Sequence, residues 1–244
     1  SKEERADELL KDLERKVDKL RREHEELLKE LKRKVDELRK EHKKLLDTLR
    51  EEVRRIEEKV KEEEELRKVI RELLELLERN VKKNIDVIET LLRLLEDLVR
   101  VNVKVLKEIV DELKKIVEAI KRGEDRSEVD RAIKRLEDIL EKLARENKRV
   151  MDELRKLLRT LREENKRSIR ALEELLERLR RRVKSEDVLR EITRLLEKAK
   201  RIIEESLREI TELVKEIEKI IKESLDAARR LLEEIKKILE ELAR

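Results

Sequence analysis

Two histidines, His24 and His42, carry the only side chains in this sequence whose charge can change near neutral pH without a large shift. An imidazole can move a proton, ligate a metal or sense acid. These two lie 18 residues apart. At 3.6 residues per turn they share one helix face, separated by about 27 Å. That is too far for the pair to hold one ion within a chain. The remaining candidates are neutral and repeat at the same interval: Asn84 and Asn102, Asn147 and Asn165, Ser206 and Ser224. Amides and hydroxyls do not titrate near pH 7, and none has an adjacent base that would make it a nucleophile. At core positions they read as hydrogen-bonded layers, with no catalytic residue, cofactor or metal site among them.

Helices must position these residues. Ser1 with Glu4 forms a capping box, and no Gly or Pro follows until Gly123. The spacing predicts one helix over about 2–122. Its first part, residues 1–65, reads as an arm with Leu20, Leu27, Leu31, Leu38, Leu45 and Leu49 on one stripe and His24 and His42 within it. Over 61–71, KEEEELRKVIR, the stripe lapses into charge, and this is taken as the border between arm and body. Gly123 suits the left-handed position after a helix, Ser127 with Asp130 resembles a capping box, and Ser185 can cap a last helix. The body, residues 66–244, then has helices of about 66–122, 127–183 and 186–244. Equal lengths and short loops predict an all-α, up-down-up three-helix bundle with the first helix extended as a long N-terminal arm. An 18-residue repeat, 3.6 per turn, predicts a straight, near-untwisted bundle.

Between antiparallel helices, numbers rise on one partner as they fall on the other. Asn84 and Asn102 therefore run against Asn165 and Asn147, which run against Ser206 and Ser224. Two layers follow: Asn84, Asn165 and Ser206, then Asn102, Asn147 and Ser224. Asn80 and Ser168 join the first. The same rule places Thr90, Thr160 and Thr211 in a third. Unpaired buried amides cost about 1–3 kcal/mol each, so such layers penalise a shifted register, as a buried coiled-coil Asn does.

The 18-residue repeat, matched polar layers, capping boxes, short loops and absence of aromatic residues and proline resemble a computationally designed helical bundle with buried hydrogen-bond networks. The resemblance spans the whole chain. It implies self-assembly as a purpose and no natural substrate.

Composition agrees with long helices: 55% charged, 37% apolar, no Phe, Tyr, Trp, Pro or Cys, one Gly. Sixty-nine basic and 65 acidic residues interleave at helical spacing, so the net charge of +4 reflects solvated faces. With no aromatic residue to stack on bases, nucleic acid is not an expected partner. No run of about 18 apolar residues would span a membrane, and SKEERADELL has no signal-peptide core. The expectation is a soluble protein without a targeting signal, suited to recombinant cytoplasmic expression, with no membrane or small-molecule partner.

A second stripe on the helix after residue 66, including Leu74, Val81, Ile85, Val103 and Val117, lies about 80° from the Asn face at 100° per residue. The arm's stripe continues it, and the arm has no partner within a three-helix body. A second copy must then cover it: a homotrimer first, a homodimer next. The resulting expectation is a structural, non-enzymatic protein that assembles through its first helix, with a pH response through His24 and His42. The alternatives are a membrane-surface module similar to a BAR domain and a natural coiled-coil scaffold.

Overall fold

The structure, a computed structural model, describes residues 1–243, without the side chains of Lys2 and Ala243. The described residues form four α-helices: α1 (Lys2–Lys59), α2 (Glu64–Lys121), α3 (Arg126–Arg182) and α4 (Glu186–Ala243). The all-α expectation holds, but the three-helix bundle with an arm does not, because the expected first helix is two helices. The charged stretch after Val60 is a chain reversal. Val60 and Glu63 amides donate to the Glu57 and Val60 carbonyls at 3.2 and 3.0 Å, and α2 restarts with Arg67 N–H on Glu63 O at 3.0 Å. Residues 61–65 are all exposed, while Val60 and Leu66 on either side are 5% and 4% exposed. Two buried anchors and a solvated charge run thus turn the chain without Gly or Pro. Glu64 and Glu65 add negative charge where the new helix dipole favours it.

The other ends follow local chemistry. Glu4 N–H donates to Ser1 Oγ at 3.3 Å. At the end of α2, Glu124 N–H reaches Ala119 O and Gly123 N–H reaches Ile120 O, a Schellman arrangement with Gly123 at φ 72°. The cap expected at Ser127 is displaced. α3 starts at Arg126, Asp125 accepts from Glu128 N–H at 3.0 Å, and Ser127 lies inside the first turn, its hydroxyl on Asp125 Oδ2. Ser185 caps α4, accepting from Val188 N–H at 3.5 Å.

The chain packs as two compact units, each built from all four helices. Unit 1 comprises residues 1–32, 93–152 and 216–244; unit 2 comprises 33–92 and 153–215. This division does not follow the expected border at 65/66. In unit 1, Leu13 and Val17 of α1 pack with Leu113 of α2, Leu136 of α3 and Ile235 of α4. Ion pairs trace the register: Asp7 with Lys121, Glu14 with Lys114 at 3.8 Å and Glu96 with Lys32 at 2.9 Å. Each advance on α1 is matched by an equal retreat on α2, as antiparallel packing requires. Lys16–Glu234, Arg135–Glu112 (3.3 Å) and Lys236–Glu137 (2.7 Å) join the other neighbours in a closed ring of four.

Unit 2 is built alike. Leu49 and Val53 of α1 pack with Leu73 of α2, Leu179 of α3 and Ile192 of α4. Arg50–Glu78 (2.8 Å), Arg178–Glu72 (2.9 Å), Lys200–Glu173 (2.7 Å) and Lys198–Glu52 (2.7 Å) join its four neighbours in turn. Exposed pairs of this kind contribute little each, about 0–1 kcal/mol. Fully buried leucines contribute more, about 1.5–3 kcal/mol apiece.

Two tests follow. Gly123→Ala meets nothing within 4 Å, so its cost is that of the left-handed backbone alone, about 1 kcal/mol by chemical denaturation. Deleting residues 1–63 removes α1 from both units and uncovers Leu73 and Leu113. The truncated chain is expected to lose cooperative unfolding by circular dichroism, and a sharp transition in it would contradict the four-helix packing.

Candidate functional site: two buried polar layers

α1 completes the layers expected from three helices. Asn84, Asn165 and Ser206 lie buried in unit 2 at 2%, 1% and 7% exposure, and His42 of α1 is buried in the same unit at 4%. His42 lines one small cavity with Asn80, Asn84 and Ser206. In unit 1 the buried polar residues are His24, Asn102, Asn147 and Ser224, again one per helix. The chain's own helices cover most of the residues expected in the oligomer seam. His24, His42, Leu31, Leu38 and Leu49 are buried by the chain's own helices, and Leu20 and Leu45 pack half-buried against the two cores. Leu27 alone of that set is exposed, at 41%. Val81, Ile85 and Val117 of the second stripe on α2 are likewise buried.

Unit 2 is wired. Asn80 Nδ2 donates to Asn165 Oδ1 at 3.0 Å and to Ser168 Oγ at 2.9 Å. Asn84 Nδ2 donates to Asn80 O at 2.8 Å, Asn80 Oδ1 at 3.1 Å and Asn165 Oδ1 at 3.3 Å. His42 Nδ1 lies 2.8 Å from Leu38 O. A carbonyl can only accept, so the neutral ring carries its proton on Nδ1 and presents a bare lone pair at Nε2. That Nε2 is buried and unpaired, as are Asn84 Oδ1 and Asn165 Nδ2.

Unit 1 is not wired in this way. His24 Nδ1, Asn102 Oδ1 and both polar atoms of Asn147 are buried without a partner. The sequence explains the difference. One 18-residue step from Asn80 lands on Leu98, and one step back from Ser168 lands on Val150. Both are buried apolar residues. The relay that joins α2 to α3 in unit 2 is replaced by hydrocarbon in unit 1.

The expected threonine layer does not form. Thr160 is exposed, Thr90 and Thr211 are half-buried, and each hydroxyl donates to the carbonyl four residues back on its own helix: Asp86, Lys156 and Leu207 at 2.9, 3.0 and 2.6 Å. Antiparallel numbering fixes the level of a residue along the helix, not its face. Thr160 neighbours buried Leu161, about 100° round the helix from it.

Burial lowers the His24 imidazole below its ordinary value of 6.5, with the Glu23 carboxylate acting in the opposite sense. Near His42, partial burial raises the Glu209 carboxyl above 4.5, and the neighbouring Glu41 carboxylate raises it further; His42 pulls it down. Among the described residues no cluster of three His, Cys, Asp or Glu could hold a metal ion. Each layer offers one imidazole with amide and hydroxyl groups, an arrangement suited to directional hydrogen bonding.

Asn84→Leu removes a donor from Asn165 and Asn80 inside an apolar core and is expected to cost about 1–3 kcal/mol in chemical denaturation. Thr160→Val, on a solvent face, is expected to change stability by less than about 0.5 kcal/mol. Equal costs for the two would contradict the assignment of Asn84 to a buried network.

Compared with protein-family models, curated proteins and solved structures, the chain matches none.

Proposed function

We propose that this chain is a structural protein whose buried polar layers fix the register of the four helices within each unit and whose His24 makes its stability sensitive to acid. The reading rests on one observation. At one level in each unit every helix contributes a buried polar side chain, set among apolar neighbours. Polar groups in such places cost stability unless partnered, and the best-attested return is specificity of pairing. The likeness to designed helical bundles belongs to this proposal, supported by the same repeat, and so does the absence of enzymatic chemistry. Among the described residues, no helix is long and apolar enough to cross a membrane.

The ground for a homotrimer or homodimer was an uncovered stripe on the first helix. With that stripe covered inside each unit, the proposal is a working monomer. Light scattering at neutral pH is expected to give 29.7 kDa. A dimeric or trimeric mass would restore self-association as the function.

The acid response has a definite sign. A base with a lowered folded pKa binds fewer protons folded than unfolded in the window between the two values. The His24 contribution is therefore fully present above about pH 6.5 and lost as pH falls from there towards the folded value. Glu209 works in the opposite sense: a carboxyl raised above 4.5, by burial first and by Glu41 next, gains protons on folding, so acid relieves both penalties. Denaturation midpoints of the parent should fall between about pH 7 and pH 5, and those of His24→Asn should fall less. Parallel curves for the two proteins would remove His24 as the sensor.

A further inference from the structure

We propose that unit 2 binds one structural water molecule in its polar layer, donating to His42 Nε2 and Asn84 Oδ1 and accepting from the Ser206 hydroxyl. This site goes beyond the register reading and does not depend on the acid response.

Three observations converge. First, the unpaired groups match a water in kind. His42 Nδ1 is committed to Leu38 O, which leaves Nε2 as an acceptor. Asn84 Nδ2 already faces three oxygens, which fixes the orientation of the amide and leaves Oδ1 as a second acceptor. Both atoms are buried without a protein donor. Ser206, buried at 7%, lines the same space and has a hydroxyl to donate. A water supplies two donors and two acceptors, so it satisfies both lone pairs and receives the hydroxyl proton. Second, the space fits. The region open to the centre of a water-sized sphere is about 10 Å³, about one water's need. Third, the chemistry excludes the rivals. An ammonium ion would suit two acceptors, but the nearby carboxylates of Glu41 and Glu209 belong to exposed residues, and an uncompensated charge in the layer is far costlier than a neutral molecule. Ordering one water costs less than stranding two buried acceptors.

Unit 1 supplies an internal comparison. Ile109, Leu136, Leu140, Ala228, Leu231 and their neighbour Ile235 line a void that is also about 10 Å³. Its lining is wholly apolar, and apolar cavities of this kind stay dry. Both spaces offer about 10 Å³ and differ in the residues that line them, and each has an alanine on its wall: Ala199 beside His42, Asn84 and Ser206, and Ala228 among apolar residues alone.

The test is a water–methyl NOE experiment on the full chain with labelled alanine methyls. A long-lived water is expected to give a cross-peak at Ala199, with the opposite sign in the rotating-frame experiment, and none at Ala228. In Ser206→Ala, which loses one partner but keeps the core volume, the Ala199 cross-peak is expected to weaken. Ala199→Ile, which fills the space, should abolish water contacts to the neighbouring Leu77 methyls. Three outcomes would overturn the proposal: no cross-peak at Ala199 in the folded parent, equal cross-peaks at Ala199 and Ala228, or uptake of xenon at Ala199 as at a dry apolar void.

Discussion

An amide or imidazole inside hydrocarbon must find a partner or lose about 1–3 kcal/mol, and the arrangement of this protein depends on how that constraint is met. Leucine, isoleucine and valine drive the four helices together, but they do so without direction. Side chains of similar size interdigitate almost as well one turn further along. A polar residue from each helix at one level removes that freedom, because a shifted register would strand every member of the layer. Unit 2 meets part of the constraint through Asn80, Asn84, Asn165 and Ser168, with Asn165 Nδ2 left without a partner. His42 is tied to its own helix by Leu38 O and lines the residual space with Asn84 and Ser206.

The charged surface plays the weaker part. Lysine and glutamate pairs join neighbouring helices around each unit, yet they are mostly exposed and screened by salt. Under the proposed reading they follow a register set from inside. Their value as a description is that they record it: the equal advance and retreat from Asp7–Lys121 to Glu14–Lys114 is antiparallel packing written in charges.

Much of this was legible in the sequence. The 18-residue spacing placed Asn84 with Asn165 and Asn102 with Asn147 at common levels, and the structure buries all four. Gly123 and Ser185 announced two of the three turns because each performs a task few residues can. The first turn was missed because it uses neither Gly nor Pro; its signal was the lapse of the apolar stripe after Val60, which also fits a solvated stretch of helix. That miss carried a second with it. His24 and His42 keep the same 18-residue step as the asparagines, and with a turn after Val60 they fall into the asparagine layers instead of an intermolecular seam. Thr160 failed for another reason: level is readable from numbering, but face requires the helix phase, and Thr160 lies beside the buried stripe.

The replacement of Asn80 and Ser168 by Leu98 and Val150 at the corresponding positions of the other unit has a consequence for dynamics. Unit 1 buries one polar residue per helix at its layer's level and leaves Asn147 without a partner on either polar atom. Its layer lacks the amide network that offsets part of the burial cost in unit 2, so protection should be graded along every helix. Cooperative openings of short lifetime then favour the amides around Asn102 and Asn147, and the segments flanking Asn84 and Asn165 open last. Four helices of nearly uniform composition thus acquire a preferred place to come apart, set where Leu98 and Val150 stand at the positions that Asn80 and Ser168 occupy in the other unit.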